Sequence, residues 1–231
     1  MRRALALVLA VAIILAACTL LVINRLGGPG DRPLPAVAGA PHPLRIVALG
    51  TSLTKRALWP DWLAARLRQC APTGSVVERV AKPGAGSVWA LGQADAITAG
   101  SPDLVIIELA MNDADLTDGL WLGQSRANHE RLIRRLRAQS PGTSILLLTT
   151  NPVTGIAHLT RPVLPIYQRL YGALADSEGA GLIDGFSRWR ALPGYAARIA
   201  DGVHPDPQAE ADLLSGPLFA AIAAAFPLTC P

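Results

Sequence analysis

Five short apolar stretches, each followed by a helical pattern, constrain the fold of this chain more than any other feature. The clearest is Asp-Leu-Val-Ile-Ile-Glu-Leu over residues 103–109, a typical buried strand. The other four cover residues 44–49, 75–81, 143–150 and 180–183. Strands that are apolar on both faces and alternate with helices are typical of a parallel sheet covered on both sides. The sequence therefore predicts one α/β domain with a mostly parallel, five-stranded sheet.

Apolar residues at helical spacing predict the helices that cover this sheet. The predicted helices span residues 58–69, 88–98, 121–139, 162–178 and 207–226.

The amino terminus carries a separate signal. Residues 4–23 are twenty consecutive uncharged residues, which at helical rise just span a bilayer core of about 30 Å. Arg2 and Arg3 precede this run, so a membrane-anchored protein would export everything that follows. Leu15-Ala16-Ala17-Cys18 resembles a bacterial lipobox, so a lipoprotein modified at Cys18 is the second reading and a cleaved secretory signal the third. All three place the domain outside the cytoplasm.

Residues 27–43 contain five prolines and four glycines. Such a composition is typical of an extended tether. We therefore divide the chain into an anchor or signal (1–26), a tether (27–43) and a folded domain (44–231).

Charge and cysteine content limit the partners. The formal charge is +4, but Arg2, Arg3 and Arg25 flank the apolar run, and removing these three of the 21 Lys and Arg residues leaves 18 against 17 Asp and Glu. A chain without a basic tract is not expected to bind nucleic acid. Cys70 and Cys230 could form a disulfide in an exported domain or remain two separate thiols, and no cysteine motif indicates a metal site.

Four segments contain residues suited to catalysis. Gly50-Thr51-Ser52 follows the first strand, where a sharp turn would expose a serine hydroxyl near a helix N-terminus. Gly84 follows the second strand, and Asn112-Asp113 follows the third. Asp201-Gly202-Val203-His204 precedes the last helix, and its spacing lets the aspartate reach the imidazole.

In order and spacing, these segments resemble the SGNH/GDSL hydrolases across residues 44–226. The resemblance implies a flavodoxin-like three-layer α/β/α sandwich and a catalytic triad of Ser52, His204 and Asp201. It also implies an oxyanion hole formed by Ser52, Gly84 and Asn112.

Three positions depart from the family pattern. Thr51 replaces the usual aspartate before the serine, Ala110 replaces a glycine, and the second block has Lys82 near its missing asparagine. Because the aspartate is not a triad member, we expect altered hydrogen bonding at the turn and retained catalysis.

The resemblance implies an esterase that needs neither a cofactor nor a metal. We expect Thr51, Asp113 and Trp89 to contact the substrate. An exported, tethered esterase suggests removal of O-acetyl groups from glycans, with lysophospholipid or other lipid esters and acetyl transfer as enzymatic alternatives. A degenerate glycan-binding protein is the alternative without catalysis.

Overall fold

The computed structural model describes residues 2–39, 42–70, 74–117 and 120–230. Its centre is a five-stranded parallel sheet in the order β2-β1-β3-β4-β5. The strands are β1 (Arg45–Gly50), β2 (Val76–Ala81), β3 (Leu104–Glu108), β4 (Ser144–Thr149) and β5 (Gly181–Asp184).

Eleven α-helices are assigned within the described residues, and the longer ones pack on both faces of the sheet. The helices are α1 (Arg2–Arg25), α2 (Ser52–Arg56), α3 (Trp59–Cys70), α4 (Ser87–Leu91), α5 (Ala94–Ala99), α6 (Ala110–Asp113), α7 (Leu122–Gln139), α8 (Ala157–Thr160), α9 (Leu164–Glu178), α10 (Gly185–Ala191) and α11 (Pro207–Ala225). A 3₁₀ turn covers Tyr195–Arg198.

The predicted α/β fold with a parallel sheet is confirmed, and each predicted strand lies within one or two residues of its place. One predicted helix differs. The stretch 88–98 forms two short helices, α4 and α5, separated at Gly92 and Gln93. Glycine weakens a helix at this point because it loses more backbone entropy than other residues do.

The sheet separates two apolar cores. Val47 and Leu49 of β1 face the core beneath α7 and α9, whereas Ile46 and Ala48 face the core beneath α3 and α11. This alternation follows from the period of two in a strand. It explains why the central strands are apolar without interruption.

Helix α1 extends away from the domain. Its residues from Val8 to Val22 are solvent-exposed, and the stretch Val8–Arg25 is apolar and long enough to cross a membrane. A membrane anchor and a signal sequence both fit this helix.

The segment predicted as a tether lies against the domain over much of its length. Arg32 forms an antiparallel bridge with Leu182 of β5, and Leu34 is buried in the core. Arg32 also binds Asp176, and Asp31 binds Arg188. Ala40 and Pro41 of the predicted tether lie outside the described residues. The chain division at residues 26 and 43 stays a prediction, but residues 27–37 do not extend freely from the domain.

A disulfide joins Cys70 at the end of α3 to Cys230, across 160 residues of sequence. The backbone N–H of Thr229 donates to the Cys70 carbonyl beside it. The bridge therefore fixes the carboxyl terminus to α3, which the sequence had left open.

We expect replacement of Cys70 and Cys230 by alanine to lower the free energy of unfolding by about 2–5 kcal/mol, because the crosslink restricts the unfolded chain. Urea denaturation of the full chain measures this change. Cys18→Ser is the control, since Cys18 is a free, exposed thiol in α1. Equal stability of the double variant and the control would contradict a stabilising bridge.

Candidate active site

A sharp turn between β1 and α2 presents Ser52. Strand β1 ends at Gly50, Thr51 caps the helix, and Ser52 is the first residue of α2. The Thr51 hydroxyl accepts the N–H of Leu53. The first N–H groups of a helix have no partner within it, so the N–H of Ser52 remains available at the positive end of α2.

A buried carboxyl group supports this turn from below. One oxygen of Glu108, Oε2, accepts from the Thr51 N–H at 3.1 Å, the Thr51 hydroxyl at 2.8 Å and the Thr54 hydroxyl at 3.0 Å. A Cβ atom at Gly50 would lie 2.0 Å from the Thr54 hydroxyl oxygen and 2.9 Å from Oε2 of Glu108. Position 50 therefore requires glycine for this close packing.

The loop before α11 brings a histidine to the serine. Nε2 of His204 lies 2.8 Å from Oγ of Ser52, and Nδ1 lies 2.7 Å from Oδ2 of Asp201. The other Asp201 oxygen accepts the backbone N–H groups of Val203 and His204. An imidazole held in this way accepts a proton at Nε2 while Nδ1 donates to the carboxylate.

The loop after β4 holds the histidine loop in place. The side-chain amide of Asn151 donates to the Val203 carbonyl at 2.8 Å, and the N–H of Thr154 donates to the Gly202 carbonyl at 2.9 Å. These bonds fix the backbone on both sides of the turn. They connect the position of His204 to a segment far away in sequence.

Gly84 and Asn112, the other two residues expected in the oxyanion hole, follow the strands on either side of β1. Gly84 sits in a turn with φ of +73°, closed by the Ala85 N–H donating to the Lys82 carbonyl. The left-handed conformation favours glycine. Asn112 donates one amide hydrogen to the Ala85 carbonyl at 2.8 Å, which leaves its second hydrogen available. With the Ser52 N–H, these are the donor types of an oxyanion hole.

A cavity of about 560 Å³ opens beside Gly84 and Asn112. Its walls include Gly84, Val88, Trp89, Asn112 and Leu120. Lys82, which is exposed, also lines it. The lining is mostly apolar with a few polar groups, as in binding sites for small organic molecules.

A model of the GDSL-like lipase/acylhydrolase family matches residues 46–211, which is most of the chain. The chain belongs to this family. Its members are acylhydrolases, and the protein is an ester hydrolase of the GDSL type. A search of the curated proteins found no match.

Solved structures share the fold. TesA is 25% identical with a TM-score of 0.60, and the alignment covers 78% of this chain and 99% of TesA. A lipase/acylhydrolase from Enterococcus faecalis is 19% identical with a TM-score of 0.68, and the alignment covers 81% of this chain and 99% of that protein. Axe2, an acetylxylan esterase from Geobacillus stearothermophilus, is 18% identical with a TM-score of 0.65, and the alignment covers 83% of this chain and 96% of Axe2.

The three residues expected to contact substrate differ from one another in burial. Thr51 is fully buried and bonded to Glu108, and Asp113 is almost fully buried with its oxygens taken by the Ser87 N–H and the Ser125 hydroxyl. These contacts occupy both side chains, but Asp113 also lines the cavity described above, and contact of either residue with substrate stays a prediction. Trp89 is half-buried in the cavity wall, and its contact with substrate stays a prediction.

Two further residues, Glu108 and Arg161, hold the segments that carry Ser52 and Asn112 in this GDSL-type hydrolase. Glu108 lies beneath the turn that carries Ser52 and accepts hydrogen bonds from Thr51. No motif in the sequence singled it out, because it ends an apolar strand. Arg161 donates to the Met111 carbonyl at 3.0 Å and pairs with Asp115, so it holds helix α6, which carries Asn112. Arg161 directly follows the short helix α8, and no local pattern in the sequence would reveal this contact.

The ionisation of the two site carboxyl groups differs. Partial burial acts to raise the pKa of Asp201, but the N–H groups of His204 and Val203 and the imidazole outweigh it and lower the pKa to about 2. Asp201 therefore stays ionised at neutral pH. Burial raises the pKa of Glu108 to about 7, although the hydrogen bonds from Thr51 and Thr54 oppose this.

A second buried carboxyl group, Glu210 of α11, has its pKa raised to about 8 by burial and by the nearby charge of Glu108. In the unfolded chain this carboxyl loses its proton near pH 4.5, its ordinary value. Between about pH 4.5 and 8 the folded state therefore holds a proton that the unfolded state has lost. Stability from this group must fall as pH rises through that window.

We expect the melting temperature of the wild type to fall between pH 5 and pH 8, and Glu210→Gln to reduce this fall by about 5 °C. Differential scanning calorimetry at both pH values measures it. Glu78→Gln is the matched control, because Glu78 is exposed. The same fall in all three proteins would contradict the burial of an uncharged Glu210.

Proposed function

We propose that this protein hydrolyses carboxylic esters with Ser52 as nucleophile, His204 as general base and Asp201 as the acceptor that orients His204. The observation that carries the proposal is a pair of hydrogen bonds: Nδ1 of His204 donates to Asp201 at 2.7 Å, and Nε2 of His204 accepts from the Ser52 hydroxyl at 2.8 Å. A degenerate binding protein has no requirement for this alignment.

In the first step, Oγ of Ser52 attacks the ester carbonyl carbon while its proton moves to Nε2 of His204. The charge of Asp201 stabilises the imidazolium that forms. The imidazolium then gives this proton to the alkoxy oxygen as the carbon–oxygen bond breaks, so the alcohol leaves neutral and the acyl group stays on Ser52.

The negative charge of the tetrahedral intermediate falls on the former carbonyl oxygen. The N–H groups of Ser52 and Gly84 and the free amide hydrogen of Asn112 would donate to it. These groups are fixed before substrate binds, because Asn112 is anchored on Ala85 and Gly84 lies in a closed turn. Such preorganisation is a large part of catalysis in acyl transfer.

Water completes the cycle. His204 takes a proton from a water molecule, whose oxygen attacks the acyl carbon, and returns the proton to Oγ of Ser52. The products are a carboxylic acid and the regenerated serine. An acceptor hydroxyl in place of water would give acetyl transfer, the alternative predicted from the sequence.

The cavity bears on the substrate class. Because His204 protonates the leaving alcohol, we place the acyl group away from His204, in the cavity beside Gly84 and Asn112. That cavity, with Val88 and Trp89 in its walls, has room for much more than the two carbons of an acetyl group. O-acetyl groups on glycans stay a prediction, and the apolar cavity favours the alternative of a longer acyl chain or lipid ester.

We place the domain outside the cytoplasm, with α1 as the membrane anchor. Arg2 and Arg3 before the apolar run support this orientation. The disulfide between Cys70 and Cys230 supports an oxidising compartment.

We expect Ser52→Ala to abolish ester hydrolysis while the fold is retained, because no other group supplies the nucleophile. The measurement is release of p-nitrophenol from esters ranging from acetate to laurate, with circular dichroism to establish folding. Ser177→Ala is the matched control, since the exposed Ser177 bonds only within α9. Turnover by folded Ser52→Ala protein at the wild-type rate would refute the proposed nucleophile.

We expect Asn112→Ala to lower kcat about 10²–10³-fold, with a smaller change in KM, because the lost donor acts mainly on the transition state. Steady-state kinetics with the best ester of the series measures both constants. Asn128→Ala is the control, because Asn128 contacts Ser87 and not the cavity. An unchanged kcat in Asn112→Ala would remove Asn112 from the oxyanion hole.

A further inference from the structure

The path of the chain after α1 shows where α1 meets the domain. Arg32 pairs antiparallel with Leu182 of β5. Earlier in the chain, the N–H of Gly30 donates to Asp184, the last residue of β5. The N–H of Gly28 donates to Ser187, which lies in α10 just after that strand. The chain therefore comes from the carboxyl edge of the sheet and runs toward the amino edge. Helix α1 ends at the carboxyl edge, where Ser52 also lies.

Direct contacts hold the end of α1 at this edge. The side-chain amide of Asn24 donates to the Pro162 carbonyl at 3.4 Å. Arg190 of α10 donates to the carbonyls of Asn24 at 2.9 Å and Leu26 at 2.7 Å. The last turn of α1 is thus attached to the loop between β4 and α9.

That loop also contacts the loop of the oxyanion hole. Arg161, next to Pro162, donates to the Met111 carbonyl and pairs with Asp115. The N–H of Leu116 donates to the Thr160 carbonyl at 2.8 Å. Only a few residues therefore separate the end of the anchor helix from Asn112.

The most exposed large apolar side chains of the described domain all lie at this same edge. They follow β2, β3 and β4, and between 60% and 79% of each residue is exposed. We call them the apolar rim: Val88, Leu116, Trp121, Ile156 and Leu159. The next most exposed, Val76, is only 43% exposed and lies at the start of β2, on the opposite edge.

We propose that the apolar rim rests in the surface of the membrane that α1 crosses, so that the catalytic edge faces the bilayer. Apolar side chains gain free energy when they enter the interface between headgroups and acyl chains. Exposed Lys55, Arg56 and Lys82 at the same edge suit anionic headgroups.

The orientation of the rim has a consequence for the substrate class, and that consequence rests on the proposed function. A site that faces the bilayer takes an ester carried by a membrane amphiphile, with its acyl chain moving from the membrane into the apolar cavity. The orientation itself does not depend on catalysis, so the two can be tested separately.

The orientation is tested with the full chain in vesicles of phosphatidylcholine and phosphatidylglycerol. In a Cys18→Ser background, Leu159→Cys and Val76→Cys are each labelled with an environment-sensitive nitrobenzoxadiazole dye. We expect doxyl-labelled lipids to quench the dye at position 159 about threefold more than at position 76. Equal quenching at the two positions would overturn the proposal.

The substrate class is tested by comparing two rates in the same vesicles: hydrolysis of p-nitrophenyl laurate dissolved in the membrane and of p-nitrophenyl acetate in water. We expect Ile156→Ser combined with Leu159→Ser to lower the laurate-to-acetate ratio about tenfold, and Val76→Ser to leave it unchanged. An unchanged ratio in the rim variant would overturn the substrate class. Absence of any Ser52-dependent hydrolysis would instead count against the proposed function, while the quenching still decides the orientation.

Discussion

The pairing of β1 between β2 and β3 is the constraint on which the site depends. Because parallel strands end at one edge, the loops after these three neighbours meet there, and they carry Ser52, Gly84 and Asn112. His204 arrives from the segment after β5 and is held by bonds from the loop after β4. Every strand of the sheet therefore contributes to the position of one hydrogen bond, between His204 and Ser52.

The turn that carries the nucleophile is stabilised in an unusual way. Where relatives place an aspartate, this chain has Thr51, and the carboxyl group comes from Glu108 at the end of the neighbouring strand. In this chain a carboxyl oxygen of Glu108 lies beneath the turn, and Gly50 is required to make room for it. Because burial favours the uncharged form, this support is linked to pH in a way that a surface contact is not.

Much of the fold was predictable from local pattern, because buried parallel strands such as residues 104–108 have a strong apolar signature. The contact between Asp201 and His204 was predictable because the two residues lie three positions apart, within one turn. What the sequence could not give depends on tertiary packing. Residues 27–37 have the composition of a tether, yet Leu34 finds a place in the core beside β5. The burial of Thr51 and Asp113 likewise depends on partners distant in sequence.

We propose that His204 activates Ser52 for attack on an acyl carbon. The most direct measurement is covalent labelling of the folded full chain with an alkyl fluorophosphonate, followed by peptide mass spectrometry. We expect one added phosphonyl group on Ser52, formed far more slowly in His204→Ala. A label on another residue, or equal labelling of Ser52 without His204, would contradict it.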